Sequence, residues 1–158
     1  MQTKSKIILI AIAVILVAFI ARSFLGKNRE PDSTQIQDQL QAAAVAAENK
    51  DAPDVMSVIS DNYTDGADNN PERLNLMLRR GMSDVSNLSV VIAPATITVN
   101  GYSAHSSSYV TIKGDGQVLY SQLLELDWQK ESTRRYFIIP AEAWRIVHSS
   151  YSGGLEGN

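Results

Sequence analysis

The chain has 158 residues, 44% hydrophobic and 20% charged, with no cysteine and two histidines. This composition excludes a disordered chain, a disulfide framework, a thiol nucleophile, and a thiolate or histidine-rich metal centre. The net charge of −3 is unevenly spread: residues 1–29 hold five basic residues and no acid, whereas residues 30–158 hold nine basic and seventeen acidic, a balance of −8. So acidic a region, with scattered basic residues, has no electrostatic footprint for nucleic acid.

Residues 1–6 form a short basic tail with Lys4 and Lys6. An unbroken apolar run follows from Ile7 to Ala21, and Phe24 and Leu25 extend it beyond Arg22. As a helix, residues 7–25 reach roughly 28 Å, close to the hydrocarbon thickness of a bilayer. Cleavage after Ala21 would put Phe19 where a signal peptidase needs a small residue, so an uncleaved signal-anchor is expected. With the short tail inside, the rest of the chain is expected outside a bacterial inner membrane, single-pass. Residues 26–32, rich in polar residues with Gly26 and Pro31, read as a linker.

A first helix is expected from Asp32 or Ser33 to about Lys50, with Ile36, Leu40, Ala43, Ala44 and Ala47 on one face. A short second helix opens at Pro53 and aligns Val55, Met56 and Ile59. The third has Asn70 as N-cap, Pro71 behind it and Glu72 in the first turn. Its apolar positions are Leu74, Met77, Leu78, Gly81, Met82 and Val85, where Gly81 would admit a close neighbour.

After Asn87 the period becomes two. Leu88, Val90 and Ile92 alternate, Pro94 interrupts, and Ile97 and Val99 resume on the other parity, as a bulge or bend would produce. Asn100-Gly101 and Asp115-Gly116 are hairpin turn signals. Val110 and Ile112 alternate between them, and Val118, Tyr120, Leu124, Leu126 and Trp128 mark a long strand. A turn is expected near Lys130–Thr133, a strand over Tyr136–Ile139, a break at Pro140-Ala141, and a closing strand with Trp144, Ile146 and His148. The class is therefore α+β: three helices packed on a curved antiparallel sheet of four to six strands, following the transmembrane helix.

Val58-Ile59-Ser60-Asp61-Asn62-Tyr63 and Trp144-Arg145-Ile146, set in this element order, resemble the nuclear transport factor 2-like superfamily, also called cystatin-like. The resemblance covers residues 33–151, leaving 152–158 as a flexible tail. It implies a cone-shaped fold shared by isomerase-like and dehydratase-like enzymes and by non-catalytic modules. Some of the latter follow a single N-terminal span, as in type IV secretion scaffolds.

Tyr63, after the second helix, and Tyr120, Trp128, Trp144 and His148, on the inward parity of their strands, are candidates to line the cone's cavity. Those faces hold no Asp or Glu, and an isomerase needs a carboxylate or similar base there. No catalytic residue and no cofactor is assigned on this reading. Asp61, Asp65 and Glu72 fall at calcium-loop spacing, but Tyr63 and Asp68 occupy positions such a loop gives to other residue types. Tyr109, Leu119, Leu123 and Phe137 are expected on the opposite face of the sheet, as an interface for a protein partner or a second copy. The expected role is a membrane-anchored, non-catalytic module binding a protein partner or a small apolar ligand. The alternative is a small-molecule isomerase, dehydratase or hydrolase working in the cone.

Overall fold

A computed structural model describes residues 31–135 and 139–152. The expected span over 7–25, most of the linker, Phe137 and the tail beyond residue 152 lie outside the described residues. Among the described residues no helix is long and apolar enough to cross a membrane. The elements are α1 (Asp32–Glu48), α2 (Ala52–Met56), β1 (Ile59–Asp65), α3 (Pro71–Ser83), β2 (Leu88–Ile92), β3 (Thr96–Asn100), β4 (Ser103–Gly114), β5 (Gln117–Arg135) and β6 (Ile139–Ser152). They fall in the unit Asp32–Asn158, which separates from Met1–Pro31.

Local chemistry sets the element ends. Asp51 accepts a hydrogen bond from the Asp54 amide (3.1 Å) and starts α2. Asn70 accepts one from the Arg73 amide (2.9 Å) with Pro71 next to it, which starts α3. Asp115 (φ 50°) and Gly116 (φ 84°) are the two residues of the β4–β5 turn, both left-handed as an Asp-Gly type I′ turn requires.

The sheet has six strands in the order β1-β6-β5-β4-β2, with β3 also paired to β4. It is mixed rather than antiparallel, because Ile59–Asp65, expected as the end of a helix and a loop, forms a strand parallel to β6. β2 and β3 lie end to end along one edge of β4. Ile92 pairs with Val110 and Thr96 with Ser107, so the three residues Ala93–Ala95 face only Ser108 and Tyr109. That is the bulge signalled by the phase slip at Pro94, and the Ser108 hydroxyl donates to the Ala93 carbonyl across it (2.8 Å).

Further register shifts were not legible in the sequence. Leu119 is extra opposite Ile112/Lys113, and Val147 is extra opposite Asp127/Trp128. The turn expected at Lys130–Thr133 is absent. β5 runs through it, and Thr133 and Arg134 pair in register with Ala141 and Pro140, where a break was expected.

Helix α1 covers one face of the sheet and also guards its edge. Ile36, Leu40 and Ala44 are buried against the sheet. Along its side, Gln37 accepts from the Ala95 amide (2.9 Å), Gln41 donates to the Ile92 carbonyl (3.3 Å) and Glu48 accepts from the Val90 amide (2.8 Å). These side chains occupy backbone groups that an edge strand otherwise offers to another chain.

Two glycines have opposite settings. A Cβ on Gly114 would lie 2.6 Å from both Leu119 Cδ1 and Val85 Cγ1, whereas one on exposed Gly81 in α3 would meet nothing within 4 Å. Gly81 therefore admits no close neighbour, contrary to the sequence expectation. Gly114→Ala should cost about 1–3 kcal/mol by overpacking, and Gly81→Ala should gain about 1 kcal/mol in helix propensity. Urea denaturation of the two variants checks the opposite signs.

Candidate functional site

The helix-covered face is filled. Trp128 and Trp144 are 1% and 0% exposed, and they pack in one cluster with Ile36, Leu40, Leu126 and Ile146. Each indole N–H is satisfied: Trp128 Nε1 donates to Ser106 Oγ (2.8 Å) and Trp144 Nε1 to Asp32 Oδ1 (3.1 Å). Lys130 Nζ donates to the same Asp32 oxygen at 2.7 Å and lies 4.9 Å from the centre of the Trp144 ring. A carboxylate thus does reach this face. It was missed because it comes from the first turn of α1 rather than from a strand.

Tyr63, only 3% exposed, shares a 2.6 Å hydrogen bond with Ser149 Oγ. Tyr120 is half-buried opposite Ile112. His148, the fifth cavity candidate, is not on this face. The extra residue Val147 reverses the alternation, so His148 pairs with Asp127 and Thr64 on the outer face, and its Nδ1 lies 2.9 Å from the Thr64 carbonyl oxygen.

Asp65 ends β1 and organises the next loop, accepting from the Asn69 amide (2.9 Å), the Asn69 side chain (2.7 Å) and the Ala67 amide (2.9 Å). Burial works against its charge, but these hydrogen bonds and nearby His148 hold its carboxyl below the ordinary 3.8. Burial raises the Tyr63 phenol above its ordinary 10.0, with Asp65 adding to the shift and the Ser149 hydrogen bond opposing it. Asp61, Asp65 and Glu72 do not act as a calcium loop, because Asp61 and Asp65 belong to strand β1 and the Asp65 carboxylate is taken up by Asn69 and Ala67. Among the described residues no group of three or more His, Asp or Glu could hold a metal ion.

The outer face of the sheet has two parts. At one end Tyr109 (52% exposed) pairs with half-buried Leu123, next to Val91 (59% exposed) on β2. Leu119, expected beside them, sits at a bulge with its Cδ1 towards Gly114 and Val85, and both it and Val118 are exposed. At the other end is a groove of about 300 Å³ lined by Asn100, Ser103, His105, Asp127, Gln129 and Val147, together with Ala104 and Trp128. His105 Nδ1 and Asp127 Oδ1 are 2.8 Å apart, and His105 Nε2 is 4.0 Å from Glu125. Sequence reading did not single out this groove, although alternation alone puts His105 and Asp127 on one face.

No family model and no curated protein matches the chain. Solved structures do. The Bd1075 protein of Bdellovibrio bacteriovorus superposes with a TM-score of 0.64 at 10% identity, over 75% of this chain and 40% of that one. A nuclear transport factor 2-like superfamily protein of Salmonella enterica gives 0.61 at 18% identity, over 80% and 97%. A cystatin-like protein of unknown function from Nostoc punctiforme gives 0.57 at 12%, over 75% and 87%. The chain thus spans less than half of the Bdellovibrio protein. At these identities the likeness shows the fold, and the fold is nuclear transport factor 2-like.

Replacing Asp32 with Ala leaves Lys130 and the Trp144 N–H without their shared acceptor and should cost about 1–3 kcal/mol, read by urea denaturation. The titrating groups set two further limbs. Ionised Asp65 stabilises the fold above pH 3.8, and that contribution is lost as pH falls through its lowered native value. Neutral Tyr63 stabilises it below pH 10.0, and that contribution is lost as pH rises through its raised native value. Melting curves across pH should show the acid limb flattened in Asp65→Asn and the alkaline limb flattened in Tyr63→Phe.

Proposed function

We propose that the chain is a non-catalytic interaction module, held at a membrane by residues 7–25, that docks a protein partner through the outer face of its sheet. The observation that carries this reading is the filled helix-covered face. Trp128 and Trp144 occupy the space where an enzyme of this fold would bind a substrate, and they are almost fully buried. Among the described residues the carboxylates that reach that space are already engaged: Asp32 by Lys130 and Trp144, and Asp65 by Asn69 and Ala67. A small apolar ligand in the cone meets the same obstacle. The apolar surface left for recognition is on the outside, at Tyr109, Leu123 and Val91.

The reading is tested with the full chain in native membranes. A photo-crosslinking residue at Tyr109 or Leu123 should give one discrete adduct. The same residue at Leu76, equally exposed on α3, should give none. Tyr109→Arg with Leu123→Arg should abolish adducts from a crosslinker at Val91 without lowering the melting temperature. Adducts spread evenly over both faces would overturn the docking surface. Carbonate extraction should leave the full chain in the membrane fraction and release a variant lacking residues 1–29.

A further inference from the structure

The groove at the polar end of the outer face is separate from the apolar docking surface. Its side chains form two adjacent rows of the ladder: Asn100, Ser103 and Gln129 in one, and His105 and Asp127 in the next. From these rows we infer that the groove binds a neutral polyhydroxylated ligand, a carbohydrate.

The lining chemistry is the first argument. Asn100 and Gln129 each present a planar amide that both donates and accepts, Ser103 presents a hydroxyl, and Asp127 a carboxylate. Such groups pair with a sugar's hydroxyls, which are donors and acceptors at once. An ionised carboxylate only accepts, so in the His105–Asp127 pair Nδ1 donates and the other Asp127 lone pairs are left to accept from a ligand hydroxyl. Tyr102, 67% exposed in the turn joining Asn100 to Ser103, adds an aromatic ring at that end of the sheet.

Preorganisation is the second. The 2.8 Å contact fixes His105 and Asp127 before any ligand arrives, which reduces the entropy lost on binding. The extra residue Val147 breaks the ladder beside Asp127 and lines the groove, and bulges are frequent beside binding sites. A volume near 300 Å³ is at the lower end of the range for small-molecule sites.

The same residues exclude other classes. No Lys or Arg is among the described lining residues, and although Arg145 pairs with Gln129, Asp127 and nearby Glu125 outnumber it, so an anion is disfavoured. Ala104, Trp128 and Val147 stand beside five polar residues in the lining, so a ligand of mixed polar and apolar surface fits better than a wholly apolar one, and no metal-binding group of three is present among the described residues. A cation is the remaining competitor, and the test separates it.

The isotope-labelled full chain, in a detergent without a sugar headgroup, is titrated with glucose, galactose, N-acetylglucosamine, cellobiose and maltose, and separately with putrescine. At least one saccharide should shift amide resonances of residues 98–105, 127–129 and 147–148 saturably. Asp127→Ala and Gln129→Ala should each weaken that binding about tenfold, while Leu76→Ala leaves it unchanged. All three sites are exposed, and retained amide spectra would show that the variants fold. No saturable shift with any saccharide would overturn the inference. So would saturation by putrescine alone, which would make the groove a cation site.

Discussion

One carboxylate oxygen holds the helical layer to the sheet. Asp32 Oδ1, in the first turn of α1, receives Lys130 from the middle of β5 and the Trp144 indole from β6. Lys130 in turn lies over the Trp144 ring, so one ammonium is held by an opposite charge and an aromatic face at once. Partly buried charges cost desolvation energy, and this arrangement offsets it by giving each group a partner. Its structural effect is to fix where α1 begins relative to the sheet. From that start, one face of the helix delivers Ile36, Leu40 and Ala44 to the core, and the next delivers Gln37, Gln41 and Glu48 to the open edge at β2 and Ala95. Shifting α1 by one residue would lose both sets together.

The sheet is shaped by insertions. Ala93–Ala95, Leu119 and Val147 each interrupt a ladder, and β1 advances from Ile59 to Thr64 while β6 advances only from Ile146 to His148. Each insertion bends its strand and reverses the alternation beyond it. The Val147 shift has the largest chemical effect. It keeps Trp144 and Ile146 in the core, turns Ser149 inward to Tyr63, and puts His148 outside beside Asp127. One added residue thus separates an apolar interior from a titratable exterior along a single strand.

Legibility in the sequence followed the range of the interactions. Asn70-Pro71, Asp115-Gly116 and the Pro94 phase slip act within a few residues, and each gave a signal that the structure matches. Alternation and local motifs carried far enough to group Trp128, Trp144 and Tyr63, which the structure packs in one core cluster. β1 was not found, because Ile59–Asp65 is short and polar and depends on parallel pairing with a strand some eighty residues away. The bulges at Leu119 and Val147 carry no Gly or Pro to announce them. His148 was therefore assigned to the wrong face by a parity rule that holds only between insertions. Asp32 escaped notice because its role comes from Lys130, far along the chain.

These constraints bear on where recognition takes place. Trp128 and Trp144, almost fully buried and with satisfied N–H groups, pack the helix-covered face. Opening that space would expose both indoles and strand Asp32 against Lys130, so the interior resists emptying. The outer face is bound by no such requirement. Its positions include Thr96, Thr98, Asn100, Ser103 and Ser107, short polar residues on regular strands that support the sheet without filling a core. β4 divides that face by itself: Tyr109 near one end pairs with Leu123, and His105, two inter-strand pairs earlier on the same side, meets Asp127. An exposed apolar patch and a polar groove therefore share one strand, two same-side residue steps apart along β4.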